Sequence, residues 1–416
     1  TGVQTCALPI WGLAVAMLFQ GHFADAERLA SDALASYIAI GNRRGEAWAH
    51  QTLAWVAFSG GDTRSAEERL DRSASLFTEI GDWGGVGWAL GLLAFVRFNQ
   101  GNLDDAERLA EQIVREAAET GNRWAEGMME TLLASIATWR GRPDEAVVRF
   151  RHAVTMFAEM GDDYGRRLAL AGLTRSLSTL GRFPESSEAL HELQNVAPRL
   201  GDPTLARIAL LIEGAMLAEC GDAERAFALT DEEWQTRAVA TGHNQVADTD
   251  WVLLRALLLV QLDESDAAVE LIDAASAART EDEVHSALEA TRALALATAG
   301  RPDDALAAAA AVDAAVGGTY MDRITAAWGA AIAYAQLADP DAAIAAAQRA
   351  HDIAFGTESR VTRAIASLAR SVVLNSLGAP GAGEAANEAR LALHTLGIDA
   401  TGWVTAFRHA VLDPVD

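Results

Sequence analysis

The amino-acid sequence predicts an all-α protein of about ten helical hairpins that stack into a superhelix. Three observations lead to this prediction. Glycines recur every 40 residues, each 40-residue period contains two helical segments, and the two segments differ in how their apolar residues are distributed. A fixed spacing of this kind is typical of repeat architectures, because each repeat is a unit that buries its apolar face against the next one.

Two series of glycines carry the period. The first series comprises Gly21, Gly61, Gly101, Gly141, Gly181 and Gly221, and the second, midway between them, comprises Gly41, Gly81, Gly121, Gly161 and Gly201. Glycine tolerates the left-handed backbone that ends many helices, and the Asn or Asp that follows each glycine of the second series suits a helix N-cap. Each period is therefore predicted to hold one helix before the first-series glycine, called helix A, and one after it, called helix B.

The two helices of a period differ in their predicted surroundings. Helix B is amphipathic and is predicted to lie on the outside, with one apolar face formed in the second repeat by Ala66, Leu70, Ala74 and Phe77. Helix A is apolar on two sides, with one stripe of Ala49, Leu53 and Ala57 and another of Trp48, Trp55 and Phe58. A helix of this kind is either covered on both sides or lines a groove.

The first ten residues, Thr1–Ile10, do not follow the repeat. They contain no methionine and no charged residue, and a reverse translation of "TGVQTCALPI" resembles a common sequencing-library adapter. We interpret residues 1–10 as a non-native segment and exclude them from the fold prediction. On this interpretation we expect the natural reading frame to extend upstream, so that the chain is the C-terminal part of a larger protein.

The rest of the chain is predicted to fall into three parts. Residues 11–242 hold the regular repeats, and residues 243–397 hold a looser continuation with turns near Leu262, Gly300, Ala338 and Gly378. Residues 398–416 are predicted to form a capping helix and tail. Their single apolar stripe, which the end of a stacked array requires, comprises Trp403, Phe407 and Val411.

From Trp11 to Leu396 the sequence resembles the tetratricopeptide repeat family. The resemblance rests on a Leu-Ala pair before the turn, on the turn glycine, and on a small residue five positions after it. The pairs are Leu53-Ala54, Leu93-Ala94 and Leu133-Ala134, and the small residues are Ala26, Ala66, Ala106, Ala146, Ser186 and Ala226. The resemblance implies a right-handed α-solenoid. The long period is similar to that of the C-terminal sensor regions of bacterial signal-transduction ATPases and transcriptional regulators, and HEAT-type arrays are the structural alternative.

Composition excludes several classes of function. The formal net charge is −25, and all 33 basic residues are arginine without a basic cluster, which argues against direct binding of nucleic acid. No apolar run is long enough to span a membrane. With Cys6 assigned to the non-native segment, Cys220 is the one native cysteine, as expected for a cytoplasmic protein. We predict that Cys220 is a small buried helix residue, and a reactive thiol is the alternative.

The sequence carries no pattern that indicates catalysis, a metal or a cofactor. The nine histidines are scattered and lack metal-ligand spacing. Acid pairs such as Asp104-Asp105 follow turns, where the helix dipole accounts for them. We therefore predict that the chain is not an enzyme and that it needs no cofactor.

In tetratricopeptide arrays, helix A lines the concave surface that holds a peptide or a partner helix. The resemblance accordingly places twelve residues in or beside such a groove: Trp48, Gln51, Trp55, Phe58, Trp88, Phe95, Phe98, Asn99, Met128, Thr131, Trp139 and Arg175. Aromatic anchors are common binding hot spots. The alternative is that these aromatic side chains fill the centre of the superhelix as core.

We therefore expect noncatalytic recognition of a protein segment, a peptide or a small inducer. The resemblance implies that the array is the regulatory part of a larger bacterial signalling ATPase or transcriptional regulator and acts on the upstream domains of the same polypeptide. Two alternatives are a free-standing scaffold that binds a peptide, and the C-terminal part of an enzyme, such as a nucleotide cyclase, with its catalytic domain upstream. The upstream reading frame would distinguish the three.

Overall fold

The computed structural model describes residues 2–20, 22–196, 203–239, 245–277, 285–315, 318–401 and 403–404. Within these residues there are twenty long α-helices and no β-strand, so the prediction of an all-α fold of about ten hairpins is confirmed. In chain order the helices are α1 (Gly2–Phe19), α2 (Phe23–Ala39), α3 (Arg43–Ser59), α4 (Thr63–Glu79), α5 (Trp83–Asn99), α6 (Leu103–Thr120), α7 (Arg123–Trp139), α8 (Pro143–Met160), α9 (Asp163–Thr179), α10 (Phe183–Val196), α11 (Pro203–Glu219), α12 (Ala223–Val239), α13 (Gln245–Gln261), α14 (Ser265–Ala277), α15 (Ser286–Thr298), α16 (Pro302–Ala314), α17 (Tyr320–Gln336), α18 (Pro340–Phe355), α19 (Arg360–Ser376) and α20 (Ala382–Leu396).

The turns between helices follow from glycine and its polar neighbour. Gly61 has a φ of 86° and Gly81 a φ of 69°, in the left-handed region that glycine adopts without a steric penalty. The next residue caps the following helix: the Asp62 carboxylate accepts a hydrogen bond from the backbone N–H of Ser65 at 2.9 Å, and that of Asp82 accepts one from the N–H of Gly85 at 3.1 Å. The turn and cap positions predicted from the sequence therefore set the helix bounds.

Packing between hairpins depends on small residues. The two helices of a hairpin contact each other, as in α1–α2, α3–α4 and α17–α18, and helices A also contact helices A of neighbouring hairpins, as in α1–α3, α3–α5, α9–α11, α15–α17 and α17–α19. The small residue five positions after each first-series glycine has no exposed surface in all six repeats: Ala26, Ala66, Ala106, Ala146, Ser186 and Ala226. Ala94 and Ala134 of the Leu-Ala pairs are equally buried. Helices approach closely where such residues meet, so a larger side chain would have no room.

The chain forms two compact units. Unit 1 comprises residues 1–136 and 242–248, and unit 2 comprises residues 137–241 and 249–416. Unit 1 therefore contains α1 to α6 and most of α7. Unit 2 contains the helices from α8 to α12 and from α14 to α20, with most of α13.

Within unit 2, the C-terminal hairpins return to turns that lie far earlier in the chain. The backbone N–H of Glu358 donates to the carbonyl of Gly141 at 2.8 Å, and the N–H of Asp399 donates to the carbonyl of Cys220 at 3.0 Å. Between these two contacts, the Ser359 hydroxyl donates to the carbonyl of Thr179 at 3.3 Å. Three successive first-series turns of unit 2 are therefore tied to its C-terminal part, and we call these contacts the return contacts.

The looser repeats keep the turn geometry with other residue types. Asp263 has a φ of 65° and Ala338 a φ of 57°, and these two residues occupy the left-handed positions that glycine fills elsewhere. The turn predicted near Leu262 thus centres one residue later. Gly300 and Gly378, at φ 73° and 61°, confirm the other two predicted turns.

Both terminal parts of the described chain contain buried side chains. Residues 2–10 continue into α1, and Ala7 is fully buried in a cluster with Ala33, Tyr37 and Ala49. At the other end, Trp403 is buried and its ring lies 6.0 Å from that of Trp328. Phe407 and Val411 of the predicted capping stripe lie outside the described residues.

Candidate functional site

Unit 1 contains an open cavity of about 610 Å³, which we call the α5–α7 cavity. Four of the twelve residues predicted for a groove line it: Trp55 from α3, Trp88 and Phe95 from α5, and Met128 from α7. Two further aromatic residues, Trp83 and Trp124, complete the lining together with aliphatic and small side chains. The other apolar residues are Val86, Leu90, Leu92, Ile113, Ala117, Ala125 and Met129.

The glycines of α5 widen this cavity. Gly84, Gly87 and Gly91 all line it. A Cβ atom added to Gly87 would meet no atom within 4 Å, and one added to Gly91 would come no closer than 3.7 Å, to the Met129 methyl group. No neighbouring backbone therefore requires glycine at these two positions, and their small size leaves space over the helix.

Gly85, on another side of the same helix, has a different role. A Cβ atom there would lie 2.3 Å from the ring of Phe77, so the aromatic ring occupies the place of a side chain. This glycine serves packing between α4 and α5. The glycine-rich start of α5 thus combines one packing position with an open face.

A row of tryptophans runs beside the cavity. Trp11 lies 6.1 Å from Trp48, and Trp48 lies 6.5 Å from Trp88, measured between ring centroids. Trp88 stacks on Trp124 at 4.5 Å with an interplanar angle of 25°. Trp88 is 39% exposed and Trp83 is 70% exposed, which is unusual for side chains of this size.

Apart from the tryptophan N–H groups, the polar side chains of the lining are exposed or half-buried, and we call this set the rim of the cavity. They are Gln112, Glu116, Glu119, Thr120 and Asn122, at the end of α6 and in the following turn. The Gln112 amide donates to the Glu116 carboxylate at 2.9 Å. Among the described lining residues there is no lysine, arginine, histidine or cysteine, so the rim is acidic.

Several of the predicted groove residues belong to the core instead. Gln51, Phe98 and Thr131 are buried, and none of them lines the cavity. The Thr131 hydroxyl donates to the carbonyl of Gly127 in its own helix at 2.8 Å. Trp48 packs edge-on against Phe77 at 5.0 Å. The burial of Gln51, Phe98 and Thr131 agrees with the packing interpretation, whereas Trp48 is half-buried.

The remaining predicted residues lie elsewhere. Asn99 is half-buried, and its side-chain amide donates to the carbonyl of Phe95 at 2.9 Å. Phe58 is half-buried outside the cavity lining. Trp139 and Arg175 belong to unit 2, where Arg175 is exposed. The structure thus gathers one third of the predicted set into one cavity.

Sequence reasoning missed Trp83 and Trp124. Trp83 follows the capping residue Asp82, and Trp124 is the third residue after Gly121. The positions equivalent to Trp124 in the two preceding repeats carry Arg44 and Gly84. A comparison of the repeats, position by position, would have identified Trp124 as unusual.

Unit 2 holds a partly buried acid beside a hydroxyl. The hydroxyl of Ser178 donates to the carboxylate of Glu219. Burial raises the pKa of Glu219, while this hydrogen bond and the charge of Arg175 act in the opposite direction. Burial also raises the pKa of the neighbouring Cys220 thiol, to about 12, so this thiol stays protonated at neutral pH.

Metal-binding clusters and membrane-spanning helices are both absent from the described residues. These residues contain no group of three or more His, Cys, Asp or Glu side chains placed to hold a metal ion. None of their helices is long and apolar enough to cross a lipid bilayer.

Comparison with known proteins gives matches only at the level of structure. No family model matches the chain, and no curated protein matches it. A Rap protein in complex with Competence and Sporulation Factor superposes with a TM-score of 0.54 and 14% identity, over 64% of this chain and 73% of that chain. The apo form of the quorum sensor NprR from B. thuringiensis superposes with a TM-score of 0.51 and 14% identity, over 84% and 99% of the two chains.

A third similar structure is aspartyl phosphate phosphatase F from Bacillus subtilis. It has a TM-score of 0.51 and 13% identity, over 66% of this chain and 70% of that chain. At such low identity these likenesses concern the fold and leave function to the site itself. With the 40-residue period, the helical hairpins and the buried small residues, they establish that this chain has a tetratricopeptide-like α-solenoid fold.

Proposed function

We propose that this chain is a noncatalytic recognition protein that binds a peptide segment of a partner in the α5–α7 cavity. The observation that carries the proposal is an open cavity of about 610 Å³ with five aromatic side chains in its lining. Ligand pockets have volumes of about 300–1,000 Å³ and are mostly apolar with a few polar groups. Four of these five side chains are tryptophan, which is one of the residue types enriched at binding hot spots.

The chemistry of the lining supports binding over catalysis. Its polar groups are amides, one hydroxyl and two carboxylates, and all of them stand at the rim. An active site for acyl or phosphoryl transfer needs a nucleophile, a base and a stabilising donor that converge on one point. The fold alone does not decide this question, since one similar structure is named as a phosphatase.

We extend the proposal to a sensor role in a bacterial signalling protein. Of the similar structures, one is named as a quorum sensor and another was crystallised with Competence and Sporulation Factor. On this view the array acts on further domains of a signalling ATPase or transcriptional regulator. The natural reading frame around this sequence tests that extension, because it either encodes such a domain or does not.

A peptide-display selection tests the binding proposal directly. The probe is a random dodecapeptide library panned against the immobilised chain, and selected peptides are then measured by calorimetry. Gly87→Leu should place its side chain in the cavity, because Gly87 lines it and a Cβ atom there meets nothing within 4 Å. Gly12→Leu is the matched control, since Gly12 is equally unobstructed, in α1.

We expect selected peptides to bind the native chain and the Gly12→Leu variant with equal affinity. In the Gly87→Leu variant the dissociation constant should rise by about tenfold or more, which corresponds to a loss of about 1.4 kcal/mol. A selection without enriched peptides would contradict the proposal. So would peptides that bind the Gly87→Leu variant as tightly as the native chain.

A further inference from the structure

One position of helix B carries an aromatic ring in three of the first four repeats. The residues are Tyr37, Phe77 and Phe157, and the ring of each lies on a glycine of the next helix A: Gly45, Gly85 and Gly165. In all three pairs a Cβ atom on the glycine would lie 2.3 Å from a ring carbon. Ring and glycine are therefore matched in shape, and together they fill the space between one hairpin and the next.

The third repeat lacks this pair. Its helix B position is Ala117, and its helix A position is Ala125. Both alanines line the α5–α7 cavity. The cavity thus opens at the place in the repeat where the neighbouring repeats hold a ring of their own.

The surroundings of Trp88 differ from those of its counterpart Trp48 because position 117 lacks an aromatic ring. In the second repeat, Trp48 meets the ring of Phe77 edge-on at 5.0 Å. Its counterpart 40 residues later, Trp88, has an alanine at the corresponding place on α6 and stacks on Trp124 instead. Trp88 is left 39% exposed, with an aromatic surface available to a ligand.

We propose that a bound peptide supplies the missing ring, by inserting one aromatic side chain into the α5–α7 cavity beside Ala117. This inference rests on the proposed function and names the chemistry of its ligand. Aromatic rings prefer edge-to-face or offset contacts with other rings, which Trp88 and Trp124 offer here. A ring in this place would repeat the arrangement that Phe77 has with Trp48.

The rim specifies a second property of the peptide. Glu116 and Glu119 stand near the C-terminal end of α6, where the helix dipole adds negative potential to their charges. Among the residues that the structure describes, neither carboxylate forms an ion pair with an arginine. The peptide therefore carries a basic residue next to its aromatic one, so that the cation faces this rim while the ring is buried.

A pair of substitutions is designed to fill the α5–α7 cavity with an aromatic side chain of the protein itself. Ala117→Phe with Ala125→Gly installs the ring and glycine that the other repeats use. We expect the melting temperature of this double variant to rise by a few degrees, because the new ring fills an existing space. Ala125→Gly alone is the control, since it adds no ring. Gly87→Leu is the second cavity-filling variant if the double variant does not fold.

Three blocked tripeptides serve as probes in saturation-transfer NMR at low salt: Ac-Arg-Trp-Arg-NH2, Ac-Arg-Leu-Arg-NH2 and Ac-Glu-Trp-Glu-NH2. We expect the first to bind the native chain at least about tenfold more tightly than the other two, and to lose this affinity in the double variant but not in the Ala125→Gly control. Its affinity should fall as salt is added, because exposed charges are screened.

Equal binding of the leucine peptide would show that the cavity does not select a ring. Equal binding of the glutamate-flanked peptide, or of N-acetyltryptophanamide alone, would contradict the prediction that the ligand needs a basic residue. Undiminished binding by the double variant would place the peptide elsewhere. If display-selected peptides bind the Gly87→Leu variant more weakly than the native chain but contain no aromatic residue, the proposed function stands and this inference is wrong. If the library yields no binder at all, the proposed function itself has failed.

Discussion

Ala338 is a non-glycine residue in the left-handed position of a repeat turn. It adopts a φ of 57°, where the regular turns have glycine. The left-handed conformation costs an L-residue about 1–2 kcal/mol, because its Cβ approaches the backbone. The turn persists because the helices on both sides, α17 and α18, pack against each other over their length.

Replacing this residue should therefore stabilise the protein. We expect Ala338→Gly to raise the free energy of unfolding by about 0.5–1 kcal/mol, the relief of strain less the entropy that glycine gains on unfolding. Chemical denaturation measures the change. The control is Ala330→Gly inside α17, which should lower stability by about 0.5–1 kcal/mol. Equal effects of the two substitutions would show that Ala338 is not strained.

Glu219 gives a prediction that depends on pH. Burial raises its pKa above the ordinary carboxyl value of 4.5. Above pH 4.5 the unfolded chain ionises this group while the folded chain retains its proton, so stability falls as the pH rises towards the folded-state pKa. Below pH 4.5 both states are protonated and the penalty is absent.

Glu219→Gln should accordingly raise the melting temperature at pH 7, and the gain should disappear near pH 4. The glutamine oxygen can still accept the hydrogen bond from Ser178. Glu224→Gln is the control, because Glu224 is exposed on the next helix. The prediction is wrong if the gain of the Glu219 variant is the same at both pH values.

At the scale of the element, α5 shows how far sequence reasoning reaches. The 40-residue period predicted its bounds through Asp82 and the turn glycine, and it placed Trp88 and Phe95 on one side of the helix. It could not predict that Phe98 on the same helix is core. In a helix that is apolar on two sides, the sequence pattern does not indicate which side is covered by neighbouring helices. That distinction depends on the side chains of neighbouring helices, above all on the alanine at position 117.

The double substitution Trp55→Ala with Phe95→Ala separates groove from core for this element. Both side chains are half-buried and line the cavity, so we expect a folded protein that loses about 1–2 kcal/mol and no longer binds selected peptides. The comparison variant is Phe77→Ala, whose fully buried ring should cost about 3–5 kcal/mol. Thermal melting followed by circular dichroism ranks the two. A larger loss for the double variant would make Trp55 and Phe95 core residues.

At the scale of the whole molecule, the return contacts distinguish glycines that look alike in sequence. Gly141 and Gly161 have φ values of 74° and 68°. A Cβ atom at Gly141 would lie 2.6 Å from the Thr357 side chain, whereas one at Gly161 would meet nothing within 4 Å. The repeat pattern gives no sign of this difference, because the contact joins residues that are more than two hundred positions apart.

Alanine at these two positions should reveal the contact. Gly161→Ala should cost about 1–2 kcal/mol for backbone strain alone, and Gly141→Ala should cost about 1–3 kcal/mol more, because its methyl group displaces Thr357. Denaturant titration of the full chain provides both values. Equal losses for the two variants would mean that the segment around Thr357 does not rest on this turn.

The return contacts also bear on how unit 2 folds. In an ordinary repeat array each repeat touches only its neighbours, so the array can fray from one end and its stability is close to a sum over repeats. A segment near residue 358 that is bonded to the turn at residue 141 removes this independence. Loss of a terminal hairpin then releases an early turn as well, which couples the unit into one cooperative block. Such distant contacts raise the contact order, so unit 2 should fold more slowly than an open array of equal length, and its amides should exchange with solvent through one shared opening event.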